Sequence, residues 1–140
     1  MRSLLRKFPL LAAIFPAKDP AGQACGARAE AQARAFLETH GVRILAANAR
    51  CRYGEIDLIG LEGETLLFIE VRLRSRADYG GAAASITATK QRRILRTARW
   101  WRQRAPLAHR RRPCRFDAVL LDDADTPHIE WLRAAFTEHG

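Results

Sequence analysis

The sequence has few cysteines, very little lysine and no long hydrophobic run. The first and the last of these features exclude particular classes of protein. Its three cysteines are Cys25, Cys51 and Cys114, with no Cys-x-x-Cys pair and no histidine at zinc-ligand spacing. We therefore expect free thiols in a reducing, cytoplasmic compartment. No run of about 18 apolar residues is present, so we expect no ordinary membrane-spanning helix and no stable insertion into a membrane.

The composition is that of a globular protein, with 48% hydrophobic and 28% charged residues in 140. A chain of this length suits one domain, which we assign to residues 22–140. Residues 1–21 are predicted to be a flexible N-terminal extension. Their basic start and short apolar stretch mimic a secretory signal, but Pro9 and Pro16 interrupt it. Contact of this extension with a membrane surface remains an alternative.

Positive charge is concentrated in one segment of the chain. The net charge is +9, and arginine supplies nearly all of the basic residues. Residues 72–115 hold fourteen basic residues and one acid, Asp78, whereas the segments before and after are nearly neutral and acidic respectively. A high-GC genome explains arginine in place of lysine, but not this crowding. The asymmetry predicts a polyanionic partner, with nucleic acid first and an acidic membrane surface second.

Apolar periodicity and turn residues predict a mixed α/β fold, a central sheet of about five strands flanked by helices. Residues 22–40 read as a helix that ends at Gly41, and residues 85–104 as a second helix with Ser85 as its N-cap and Pro106 beyond its end. The predicted strands are 42–49, 55–60, 66–73, 115–121 and 128–132.

Two of these strands carry acids within otherwise apolar segments. Asp57 lies in the second strand, and Glu70 lies in the third, two residues before Arg72. Buried acids cost free energy unless they are compensated, and two neighbouring carboxylates repel each other when both are ionised. A divalent cation resolves both problems, and hard oxygen ligands suit magnesium. The alternative is an ordinary cross-strand ion cluster of the three side chains.

Four short motifs carry a more specific resemblance. They are Gly54–Ile59, Phe68–Arg72, Lys90 with Arg93-Ile94, and Arg115–Asp117. Over about residues 22–136 the chain resembles the YraN family of small bacterial proteins. That family is similar to the restriction-endonuclease-like superfamily and to its archaeal Holliday-junction resolvases.

The resemblance implies a D…E-x-K nuclease core of the restriction-endonuclease type. Asp57 and Glu70 would then be the metal-binding acids for Mg²⁺ or Mn²⁺, and Glu30 on the first helix would join them. The family likeness thus makes Asp57, Glu70 and Arg72 the catalytic residues. Arg72 stands where the superfamily usually has lysine, and arginine does not accept a proton at ordinary pH. Glu30 can also be read as a salt-bridge partner of Arg34 on the same helix.

Basic residues that follow the acids form the expected nucleic-acid-binding set: Arg74, Arg76, Lys90, Arg92, Arg93, Arg96 and Arg99. Lys90 has a second reading, in which it faces the acidic site. Trp100 and Trp101 can stack on bases, although helical spacing places at least one in the core. Asp117 is expected to be a structural partner of a nearby arginine.

Three functional hypotheses follow. The first is a nucleic-acid-binding protein that acts as a magnesium-dependent, structure-selective endonuclease, on DNA ahead of RNA. The second is a binding module that kept the fold and lost hydrolysis, and the third is an adaptor at a membrane surface or in complex assembly. The sequence leaves the oligomeric state open, with a homodimer as one alternative.

Overall fold

The computed structural model describes residues 20–73, 86–122 and 128–137, with side chains from residue 26 onward. Within these ranges the secondary structure runs in the predicted order, helix, three strands, helix, two strands, with one short helix added before the fourth strand. The elements are α1 Pro20–Thr39, β1 Arg43–Cys51, β2 Gly54–Glu62, β3 Thr65–Leu73, α2 Ala88–Arg104, α3 Leu107–Arg110, β4 Cys114–Leu121 and β5 Ile129–Phe136.

The five strands form one mixed sheet in the order β1-β2-β3-β4-β5. Neighbours pair antiparallel except β3 and β4, which pair in parallel from Leu66–Cys114 to Leu73–Leu121. A parallel pair needs a long crossover connection, and α2 lies in the segment that joins β3 to β4. The predicted α/β class is therefore confirmed, and the arrangement agrees with a restriction-endonuclease-like core.

The two long helices pack on two separate apolar clusters of the sheet. Ala29, Ala33 and Leu37 of α1 are buried in the cluster that contains Leu58 of β2 and Ile69 of β3. Because alanine is small, the α1 backbone can lie close to the strands.

The second cluster buries α2. Trp101 meets Phe68 of β3 edge to face at 6.1 Å between ring centroids, and Phe68 in turn stacks on Phe116 of β4. Trp101 is thus a core residue, as helical spacing predicts for one of the two tryptophans. Trp100 is partly buried, and the Arg104 guanidinium lies over its ring.

The N-cap of α2 is Thr87, so the prediction of Ser85 as N-cap is wrong. The Thr87 side chain accepts a hydrogen bond from the backbone N–H of Lys90 at 3.2 Å. Threonine and serine both cap helices well, and Thr87 stands three residues before the N–H that needs a partner. The predicted C-terminal end at Arg104 is confirmed, and Pro106 follows at the start of α3.

Strand β5 extends to Phe136, four residues beyond its predicted end at Leu132. A bulge interrupts the alternation: the β4–β5 register shifts between Phe116 and Ala118, and Ala134 has a φ of 51°. The N–H of Ala134 is satisfied by Asp117, which is fully buried in β4. Period-two patterns fail across such a bulge because the extra residue reverses which face each side chain meets.

Asp117 organises this edge of the sheet. Besides the Ala134 N–H, its carboxylate accepts two hydrogen bonds from Arg115 at 2.8 Å and one from the Trp131 indole at 2.9 Å. This contact confirms the expectation that Asp117 partners an arginine. The carboxylate raises the pKa of Arg115 by hydrogen bonding.

Strand β1 also departs from strict alternation. Strict alternation along the predicted strand 42–49 places Val42, Ile44, Ala46 and Asn48 on one face, but the register shifts between Ile44 and Ala46. Val42 and Ile44 therefore contact the α1 cluster, whereas Ala46 contacts the α2 cluster. Strand β1 also extends two residues beyond its predicted end at residue 49, because Cys51 still pairs with Gly54.

Two further observations concern the cysteines and the helices. Cys51 is buried and Cys114 is partly buried, and both are free thiols. In the three described ranges we find no helix with the length and apolar character needed to cross a lipid bilayer.

Candidate active site

The predicted acids lie where strands β2 and β3 separate. The β2–β3 ladder runs from Glu62–Thr65 to Leu58–Ile69. Beyond it, β2 stays paired with β1 as far as Gly54, and β3 stays paired with β4 as far as Leu73. The sheet therefore forks after Leu58, and Asp57 and Glu70 are the first residues on the two sides of the fork.

The fork also alters the predicted faces of β2. Alternation places Glu55, Asp57 and Ile59 together, with Ile56 opposite them. In the structure Ile56 and Ile59 both pack in the α2 cluster. The alternation therefore breaks at Asp57, and this residue turns into the fork.

Asp57 bridges the two strands through its side chain. Its Oδ2 accepts a hydrogen bond from the backbone N–H of Val71 at 2.8 Å. Burial raises the pKa of Asp57 well above its usual range, the charge of Glu70 raises it further, and the Val71 hydrogen bond opposes both. Glu55 and Glu30 add smaller contributions in the same direction. A negative charge on Asp57 is therefore unfavourable at this position unless a cation offsets it.

Glu70 is nearly inaccessible, with 7% of its surface exposed, and it is ion-paired. Its partner is the Lys90 ammonium, which reaches Oε1 from the first turn of α2. The Lys90 side chain is 39% exposed, so its stem borders solvent while its charge meets the buried acid. Of the two readings of Lys90, the contact favours the one in which it faces the acidic site.

Glu30 approaches from α1, on the other side of the sheet. Its Oε1 accepts a hydrogen bond from the Asn48 amide at 2.9 Å. Asn48 adopts a left-handed φ of 53°, a conformation that asparagine tolerates better than most residues. The bent backbone at Asn48 and the first helix together hold Glu30 beside the fork.

These side chains line one cavity of about 490 Å³, which residues from β1, β2, β3 and both long helices enclose. Four carboxylates face it: Glu30, Glu55, Asp57 and Glu70. Three cations face it as well: Arg50, Arg72 and Lys90. Arg50 is bonded to Glu55 at 2.8 Å, so Arg72 and Lys90 are the cations that share the cavity with Asp57 and Glu70. The residues predicted as catalytic thus lie together.

The donor set can be tested against a divalent cation. Among the residues that the structure describes, no group of three or more histidine, cysteine or acidic side chains is arranged to hold a metal ion. Glu30 is therefore not assembled with Asp57 and Glu70 into a three-carboxylate shell. Magnesium commonly takes one or two carboxylates and completes its shell with water and substrate phosphate. Asp57 and Glu70, mutually repelling at the head of the fork, fit that requirement.

The remaining predicted residues divide into two groups. Arg92, Arg93, Arg96 and Arg99 are exposed on α2. Arg74 and Arg76 lie outside the described residues.

The turn that starts β2 packs directly on α2. Gly54 has a φ of 152°, and a Cβ added there would lie 3.3 Å from the Cβ of Arg93. The arginine-rich helix therefore borders the cavity.

Sequence reasoning missed two residues of the cavity, Asn48 and Arg50. Asn48 falls within the predicted strand 42–49, where a lone amide among apolar residues is itself a signal of irregular backbone. Arg50 falls just beyond the predicted end of that strand. Its contact with Glu55 depends on the register of β1 against β2, which places these two residues opposite each other.

The fold and the site together define a class: an α/β protein with two acids at a forked mixed sheet and an arginine-rich helix beside them. Comparison with known proteins then gives the family. Residues 29–121 match the model of the uncharacterised protein family UPF0102, and the chain belongs to this family. The predicted relationship to the YraN family is thereby confirmed.

Individual relatives agree with this assignment. A UPF0102 protein of Nitrosomonas europaea is 51% identical over 81% of this chain and 93% of its own length. A UPF0102 protein of Methylobacillus flagellatus is 48% identical over 80% of this chain and 96% of its own. The UPF0102 protein YraN of Escherichia coli is 50% identical, covering 79% and 82% respectively.

Proposed function

We propose that the protein binds nucleic acid and hydrolyses a phosphodiester bond at the fork with the help of magnesium. The observation that carries this proposal is the placement of Asp57 and Glu70 in one cavity with two cations, Arg72 and Lys90. Carboxylates for a metal and cations for a phosphate are what phosphodiester hydrolysis needs. The exposed arginines of α2 provide a surface for the polyanion. DNA stands ahead of RNA as the substrate, and the free thiols suit a cytoplasmic location.

In this proposal Asp57 and Glu70 hold the metal, and Arg72 holds the scissile phosphate. A bound magnesium ion supplies an activated water and stabilises the charge that develops on the phosphate. The Val71 N–H orients the Asp57 carboxylate, because it donates a hydrogen bond to Oδ2. Arg72 contributes a permanent positive charge and no proton acceptor, so it positions and stabilises.

Arg72 also favours a second candidate function, a module that binds nucleic acid without cleaving it. Where a reaction needs a lysine whose proton can leave, an arginine at this position makes the site inert. The two candidates share the binding surface and the metal site. They differ only in turnover.

Metal binding is the first test. Magnesium or manganese at millimolar concentration should raise the melting temperature, because a ligand that binds only the native state stabilises it. Asp57→Asn should abolish the shift. The matched control is Glu64→Gln, which removes a carboxylate whose side chain is 89% exposed in the β2–β3 turn, and the shift should persist there. Calorimetry that detects no metal binding to the natural protein would favour the ion cluster instead.

Cleavage is the second test. Labelled duplex, single-stranded and four-way-junction DNA are incubated with the protein, with and without magnesium or manganese. The endonuclease proposal expects metal-dependent products with at least one substrate, lost in Asp57→Asn. If the DNA stays intact although it binds tightly and the metal raises the melting temperature, the endonuclease proposal fails. The second candidate, a module that binds without cleaving, then stands.

A further inference from the structure

Lys90 occupies a position that the stability of its own helix does not explain. It is the third residue of α2, directly above the Thr87 cap, and the first turn of this helix contains no acid. A helix N-terminus carries partial positive charge, so a lysine there is unfavourable for the helix. Its compensation comes from another element, since the ammonium contacts Glu70 across the cavity.

The contact places the ammonium on a carboxylate that the proposed function assigns to the metal. Glu70 is almost fully buried, and an ionised carboxylate in such a position is costly without a positive partner. Lys90 meets this need when no metal is bound. When a divalent cation binds Glu70, the attraction that holds the ammonium falls and the two cations repel each other.

The ammonium has room to leave. The Lys90 side chain is 39% exposed, and its flexible four-carbon stem can carry the charge to the mouth of the cavity. Arg92 and Arg93 follow it on α2, both exposed. A displaced Lys90 therefore lies beside exposed Arg93 at the mouth of the cavity, on the opposite side of α2 from Arg92, Arg96 and Arg99.

We infer that Lys90 is an exchangeable counter-ion: it neutralises Glu70 in the metal-free protein and moves to a nucleic-acid phosphate when a divalent cation takes its place. This inference rests on the proposed function. It makes metal and nucleic acid bind with positive coupling. Because coupling free energies are reciprocal, each ligand raises the affinity for the other by the same factor.

The size of the coupling follows from one additional phosphate contact. Each neutralised phosphate contributes about 0.9 to the slope of log affinity against log salt concentration. One such contact therefore makes the affinity roughly eightfold higher at 0.1 M salt than at 1 M salt. The metal should therefore tighten DNA binding by up to roughly eightfold and steepen the salt dependence by about one unit.

The experiment measures duplex-DNA affinity by fluorescence anisotropy, with EDTA or with calcium at matched ionic strength, and a gel verifies that the DNA stays intact. The natural protein is compared with Lys90→Gln and with Arg92→Gln. Arg92 is the matched control, since it is exposed on the same helix and its guanidinium contacts only a neutral hydroxyl, that of Thr89, among its described hydrogen bonds. Calcium affinity of each variant is measured by calorimetry.

In calcium, Lys90→Gln should bind DNA more weakly than the natural protein, because it lacks the calcium-dependent gain in affinity. It should also bind calcium more tightly, because no ammonium has to be displaced. Arg92→Gln should weaken DNA binding equally under both conditions.

If Lys90→Gln lowers the affinity for DNA equally with and without calcium, the exchange is overturned and the proposed function stands. Calcium that binds the natural protein without changing its DNA affinity would overturn it too. Absence of calcium binding to the natural protein would overturn the exchange together with the metal-dependent part of the proposed function.

Discussion

Replacing two arginines on one stripe of α2 tests whether this helix is the nucleic-acid surface. Arg92, Arg96 and Arg99 fall within about 60° of one another around a helix of 3.6 residues per turn. They point directly away from the buried side of α2, which consists of Ile94, Thr97, Ala98 and Trp101. The perturbation is the double substitution Arg96→Gln with Arg99→Gln.

The expected magnitude follows from the geometry of the stripe. From Arg92 to Arg99 it rises about 10 Å, which equals roughly three base-pair rises along the DNA axis. If Arg96 and Arg99 each neutralise one phosphate, their loss lowers the salt slope by about 1.8. At 0.1 M salt the affinity should fall by up to roughly sixtyfold. Stability should change by less than about 0.5 kcal/mol, because both side chains are exposed.

The assay is anisotropy with labelled duplex DNA at several salt concentrations, alongside urea unfolding of each variant. The matched control is Arg34→Gln with Arg43→Gln, which removes the same charge from two exposed positions outside α2. At 0.1 M salt charges beyond about 10 Å are largely screened, so the control should bind almost normally. Equal loss in both double variants would mean that net charge governs binding, and the surface on α2 would be refuted.

Three further predictions concern single side chains. The pKa of Asp57 is raised in the folded, metal-free protein, so the unfolded chain releases this proton at a lower pH. The free energy of unfolding should therefore fall as pH rises from about 4 toward the folded-state pKa. Urea unfolding should show that Asp57→Asn removes this fall. If Arg72 only holds phosphate, Arg72→Lys should cleave at a similar rate and Arg72→Ala far more slowly in single-turnover assays with manganese. Asp117→Ala should cost about 3–5 kcal/mol, because it removes one of the two carboxylates that pair with Arg115 and leaves the Trp131 indole and the Ala134 N–H without an acceptor.

Each of these predictions has a contrary result. A stability profile unchanged by Asp57→Asn would mean that Asp57 does not carry the unfavourable charge. A large gain of cleavage in Arg72→Lys would mean that the reaction needs a lysine, with the natural site nearly inert. A loss below about 1 kcal/mol in Asp117→Ala would show that water or relaxation replaces the buried contacts.

The sequence by itself determined the class of fold, the two acids and the family. Apolar periodicity identified the long helices and all five strands, because burial of one face leaves a repeating pattern in the chain. Asp57 and Glu70 stood out because acids are rare in apolar strands. Their tandem motifs then indicated the family, which the comparison with known proteins confirmed.

The tertiary structure alone decided how the acids are surrounded. The fork depends on where the β2–β3 ladder stops, and no local pattern records the end of a ladder between distant residues. Lys90 meets Glu70, and Asn48 meets Glu30, only after α2 and α1 have packed on the sheet. The extension of β5 was hidden for a related reason, since the contact of Asp117 with Ala134 stabilises a bulge that breaks the alternation. Contacts between elements arise from packing, whereas a sequence pattern reports only the burial of single elements.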